Sequence, residues 1–113
     1  RIVKRLKSVP EGTGTMFDNT MLFYFPDGGE THHSHGWEYP FIILSGNNAR
    51  VDLRRRYIRL PNYGQPGHST LGNFYTTLLN AYGNPIEHYG ALDTGLNKFG
   101  HGQTGPIKPF LKV

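Results

Sequence analysis

Cysteine is absent from the 113 residues, which excludes disulfides, thiol nucleophiles and cysteine-based zinc sites at once. Long apolar runs are missing too. None approaches the ~20 residues that cross a bilayer, and no signal peptide is visible, so no membrane span is expected. Acid is scarce, with 8 Asp and Glu against 12 Lys and Arg, giving a formal charge of +4. Hydrophobic content is low at 36%, yet 7 Phe, 7 Tyr and 1 Trp are more than a disordered chain carries. The balance is made up by 15 Gly and 8 Pro, the composition of one small domain with much irregular loop. The first residue is Arg1 and not Met, so the chain is read as a processed product or a piece of something longer.

The positive charge falls in two clusters. Arg1, Lys4, Arg5 and Lys7 form one, and Arg50, Arg54, Arg55, Arg56 and Arg59 the other. A nucleic-acid reader joins such a face to stacking aromatics or a known motif. Only Tyr57 interrupts the second cluster and no motif matches, so no nucleic-acid partner is expected.

One stretch organises the rest. Met21-Leu22-Phe23-Tyr24-Phe25 leads into a loop, and Phe41-Ile42-Ile43-Leu44 leads out of it. Continuous apolar runs of this length, bounded by Pro and Gly, read as buried strands. The loop between them carries Asp27, His32, His33, His35 and Glu38, and such a loop is where function concentrates, because the strands hold its ends.

Ahead of the first strand, Ile2, Leu6 and Val9 recur at helical spacing among cations, the pattern of an amphipathic helix that the 10–14 segment breaks. Residues 50–60 allow an extended edge, discouraged from pairing by its arginines. Ser69 is the expected N-cap of a helix over 69–82, in which Leu71, Phe74, Leu78 and Tyr82 face the sheet and Gly83 ends the run. Residues 84–113 carry no sustained period and read as loop, with a short strand near 107–111.

The histidines permit metal chemistry. His33 and His35 project to one side of an extended backbone and reach one ion together. Neutral imidazole suits zinc, and a carboxylate such as Asp27 or Glu38 widens the choice to harder cations. His68, delivered by the loop ahead of the helix, completes the candidate set Asp27, His33, His35 and His68. His32 points the other way, and His88 and His101 stand alone in glycine-rich loops. The bland reading of the same loop is a solvent-exposed tract with adventitious metal affinity.

Two resemblances follow. His33-Ser34-His35 with Glu38, and Pro66-Gly67-His68 with Asn73, are loosely similar to the two cupin motifs, with the spacing wrong in both. The order Asp18-Asn19-Thr20, apolar strand, Asp27-Gly28-Gly29, histidine loop, Pro40-Phe41-Ile42-Ile43-Leu44 and Thr76-Thr77-Leu78-Leu79-Asn80-Ala81-Tyr82-Gly83 more closely resembles the C-terminal part of the alkaline phosphatase/sulfatase-like superfamily. Within it, the chain is most similar to an uncharacterised bacterial family of exported proteins with a twin-arginine signal. The similarity covers most of 5–92 and fades in the tail.

That resemblance implies an α/β fold, the C-terminal portion of a mostly parallel sheet flanked by helices, with long Gly/Pro-rich loops. It implies a divalent metal ion, zinc or calcium, held by Asp27, His35 and His68, with Gly28 standing where many members have a further histidine. The superfamily's nucleophile lies in an N-terminal half with no counterpart in this sequence. The chain is thus expected to be a single incomplete domain, 1–113, in a periplasmic or extracellular sulfatase/phosphatase-like protein. Its partner is the remainder of its parent or further copies of itself, and it is not catalytic alone. A structural assembly subunit and a small cupin-like metal domain are the alternatives.

Overall fold

The computed structural model describes residues 1–26 and 39–112. It begins with α1, Ile2–Lys7, followed by a minimal hairpin of β1, Pro10–Glu11, and β2, Gly14–Thr15. A 3-10 turn, Met16–Asn19, leads into β3, Met21–Tyr24, which pairs with β4, Ile42–Ser45. A second helix, α2, runs Leu71–Ala81, and 3-10 turns at Thr94–Phe99 and Lys108–Phe110 punctuate an otherwise irregular tail.

The apolar runs do become neighbouring strands, but the expected parallel sheet is not what they build. β3 and β4 are antiparallel, with Met21 opposite Ser45, Leu22 opposite Leu44, Phe23 opposite Ile43 and Tyr24 opposite Ile42. The other sheet, β1 with β2, is also a two-stranded antiparallel pair. Parallel neighbours need a crossover, usually helical, of a dozen or more residues. Among the described residues α2 follows both strands and crosses between none, so the α/β reading of a mostly parallel sheet is overturned. An all-strand barrel of the cupin kind is equally absent among the described residues.

Period-2 geometry splits the hairpin into two apolar faces. Met21, Phe23, Phe41 and Ile43 pack inward against a core of Val51, Leu53, Phe74, Ile107 and Phe110. Tyr24, Ile42 and Leu44 face outward, 75%, 59% and 46% exposed. Continuous hydrophobic runs had suggested burial on both sides, and among the described residues only one side packs on the core. Beyond β4, Gly46 is required by close approach, because a Cβ there would overlap the Phe17 carbonyl and the Asp18 backbone.

α2 forms where its periodicity placed it, but its cap is Thr70 and not Ser69. Thr70 Oγ1 accepts from the Asn73 amide at 3.2 Å while Asn73 Oδ1 accepts from the Thr70 amide at 2.9 Å, a reciprocal capping box. The buried face is also rotated from the expected one. Leu71 and Tyr82 are exposed, whereas Asn73, Phe74, Thr76 and Thr77 are buried. These polar groups organise the tail. Asn73 Nδ2 donates to the carbonyls of Gln103 (2.7 Å) and Gly105 (2.9 Å). The Thr76 and Thr77 hydroxyls accept from the amides of Tyr89 (2.9 Å) and Ile107 (2.8 Å). A chain with little regular structure meets its backbone hydrogen-bonding demand this way. The strand expected near 107–111 is instead the turn Lys108–Phe110 followed by a single bridge between Leu111 and Val51. The 50–60 segment has that bridge at Val51 and no strand.

Candidate functional site

Asp27, His33 and His35, with His32 and Glu38, lie outside the described residues. The described residues supply the frame that carries them. Pro26 and Tyr39 stand at the two ends of that segment, and Tyr39 Oη donates to the Pro26 carbonyl at 2.7 Å. Behind this bond three rings pack on one another, with centroids 6.0 Å apart for Phe25–Tyr39 and 5.6 Å for both Phe25–Phe41 and Tyr39–Phe41. Phe41 then stacks on Phe74 of α2 at 5.0 Å, and Phe74 takes the edge of Phe23 at 5.8 Å. The hairpin end is therefore tied both across itself and down into the core.

This packing fixes the direction of α2. Its early residue Phe74 stands at the end of the hairpin where 27–38 departs. At its other end the Tyr82 hydroxyl accepts from the Arg50 amide at 3.3 Å, beyond the far end of β4. The early turns of the helix accordingly lie toward the Phe25–Phe41 end of the hairpin and its last residues toward Arg50.

His68 is half-buried and oriented by its own loop. Its Nδ1 lies 2.9 Å from the Pro61 carbonyl, and its ring meets the edge of Tyr63 at 5.5 Å. A carbonyl only accepts, so Nδ1 carries the proton and Nε2 of the neutral ring keeps its lone pair. Ligating histidines are held in the same way, one ring nitrogen bonded to a carbonyl and the other presented to the ion. In His68 this leaves Nε2 as the ring nitrogen without a hydrogen bond among the described residues. Among the described residues alone, no three His, Asp or Glu gather closely enough to hold a metal.

The other two described histidines are engaged elsewhere. His101 Nε2 donates to the Gly64 carbonyl at 2.9 Å, and its ring stacks on Phe99 at 6.2 Å. His88 lies against the first turn of α2, where a Cβ on Gly72 would come within 2.6 Å of its ring. Its Nδ1 is buried without a hydrogen bond among the described residues. Tyr63 donates to Asp93 Oδ2 at 2.8 Å, and this bond to a carboxylate raises the phenol above its ordinary value. It stays a protonated donor that braces the loop under His68, not a nucleophile.

Tyr39, Pro61 and the Asn73–Thr76–Thr77 network were not singled out from the sequence. Two adjacent threonines flanked by asparagines inside a helix were the available signal, since such residues disfavour helix interiors unless their side chains have partners. No family model matches the chain, and no curated protein or solved structure matches it.

Proposed function

We propose that the chain supplies the metal-liganding part of an exported, divalent-metal-dependent hydrolase of sulfate or phosphate esters. One observation carries the reading. His68 is held by the Pro61 carbonyl with Nε2 unbonded among the described residues, in the loop that leads into α2, whose Phe74 packs on Phe41. Asp27, His33 or His35, and His68 would hold the ion, with Zn or Ca the ions suited to such nitrogen and oxygen donors. A bound divalent ion would supply charge stabilisation for an ester oxyanion and acidify water. The chain's own contribution is to orient His68 through Pro61 and to pin the ligand segment through Tyr39.

Catalysis needs more than this chain. The superfamily's nucleophile is not in the sequence, and the Thr31 and Ser34 hydroxyls of the ligand segment match no activated nucleophile. The outward face of Tyr24, Ile42 and Leu44 favours docking onto the remainder of a parent protein or onto further copies. A non-catalytic assembly subunit is the second reading, and this same face is the observation that favours it.

Assay of the purified chain with aryl sulfate and aryl phosphate esters, in zinc or calcium, tests the hydrolase reading. The expected result is turnover no faster than the metal salt alone. Robust turnover by a purified monomer would overturn the claim that the site is partial.

A further inference from the structure

We propose that residues 54–59 form a docking surface for a linear sulfated polysaccharide, independent of the metal site and sharing no residue with it. The segment is an exposed turn on a rigid root. Val51 and Leu53 are buried before it, and Ile58 and Leu60 pack against the same core after it. Between them the chain presents Arg54, Arg55, Arg56 and Tyr57, with Arg59 immediately following and Asp52 the one acid in 50–60.

The guanidinium groups do different work. Arg56 is committed to the fold, its Nη1 donating to the carbonyls of Asp52 (2.7 Å) and Pro109 (3.3 Å) and lying 3.4 Å from Asp52 Oδ2. Arg54 gives one bond among the described residues, to Asn47 Oδ1 at 2.7 Å, which uses one of its five donors. Arg55 has no partner among the described residues, and its φ of 57° makes it the one non-glycine residue there in the left-handed region. Glycine or asparagine suits that conformation better than arginine. An unpartnered arginine at a strained position is an outlier that points to function. Tyr57 beside it is 93% exposed, so both faces of its ring are open.

The chemistry selects the partner. The segment contains no lysine, and the guanidinium fork meets the oxygens of a sulfate or phosphate two at a time. A single strand of nucleic acid is gripped by successive stacking rings along a groove. Here one ring stands on an exposed turn among arginines, which fits closely spaced anionic groups on a saccharide chain, with Tyr57 against a sugar face.

Titration of the full chain with dextran sulfate at several salt concentrations tests this, beside uncharged dextran and a single-stranded oligonucleotide of equal charge. Dextran sulfate should bind, dextran should not, and the oligonucleotide should bind more weakly. Arg55→Gly should lower dextran sulfate affinity about fivefold and reduce the slope of log K against log salt by about one. Its melting temperature should hold or rise, because glycine relieves the positive φ. A triple variant, Arg54→Gln, Arg55→Gly and Arg59→Gln, should abolish binding at physiological salt. Unchanged affinity and slope in Arg55→Gly would overturn the proposal. So would equal or tighter oligonucleotide binding, or a triple variant that alters the association state while still binding dextran sulfate.

Discussion

The Tyr39 hydroxyl donates to the Pro26 carbonyl at 2.7 Å, so the two residues that bracket 27–38 are bonded to each other. The ends of 27–38 are thus held at a fixed separation, backed by the Phe25, Tyr39 and Phe41 rings. Replacing Tyr39 with Phe keeps the ring and removes the donor. Because the bond is exposed, stability should fall by only about 0.5–1 kcal/mol. Affinity for a divalent ion should fall about threefold to tenfold as the ends lose preorganisation, measured by calorimetric titration beside a denaturant melt.

Asn73 is the residue on which the tail depends most. It caps α2 through Oδ1 and satisfies two tail carbonyls through Nδ2, while 6% exposed. Asn73→Ala should cost about 2–4 kcal/mol, because it removes a cap and orphans buried acceptors together. Asn73→Asp should be nearly as damaging, since a carboxylate keeps the cap but cannot donate. Chemical denaturation would read both, and a wild-type midpoint for Asn73→Asp would show that the tail carbonyls find other donors.

Thr77 separates shape from hydrogen bonding. It is fully buried, donates to the Asn73 carbonyl at 2.7 Å and accepts from the Ile107 amide at 2.8 Å. Thr77→Val preserves volume and leaves the Ile107 amide unpaired, for an expected loss of about 1–3 kcal/mol. Hydrogen exchange at the Ile107 amide should quicken in this variant, locating the loss at the tail.

The individual elements were legible in the sequence, whereas the way they assemble was not. The two strands followed from continuous apolar runs, and α2 from its i, i+3, i+4 pattern with Gly83 behind it. Strand direction was not legible, because an apolar run reads the same in a buried parallel strand and in a hairpin with one uncovered face. The buried face of α2 was misjudged because periodicity scores Thr76, Thr77 and Asn73 as polar, whereas each is buried by satisfying a distant backbone group. What orients His68 was not legible. A carbonyl such as that of Pro61 belongs to every residue and leaves no mark in a sequence.

Acid should weaken one corner of the fold. Asp18 accepts from the Thr15 amide and hydroxyl at 2.8 Å each and from Asn47 Nδ2 at 2.6 Å, which holds its carboxyl below the ordinary 3.8. A depressed folded value contributes stability that is present above the ordinary value and lost as pH falls through the folded one. The melting temperature should therefore drop below about pH 4. Asp18→Asn should flatten that part of the profile while lowering the plateau at neutral pH.

The central claim is that His68 and the 27–38 segment share a divalent ion. Its most direct test is metal content of the chelator-stripped chain after equilibration with zinc or calcium, by elemental analysis, beside His68→Ala and His35→Ala. The account predicts about one ion per wild-type chain, reduced sharply in both variants, with melting temperatures in chelator that match wild type. A wild-type chain that takes up no ion, or a His68→Ala chain that retains the full complement, would contradict it.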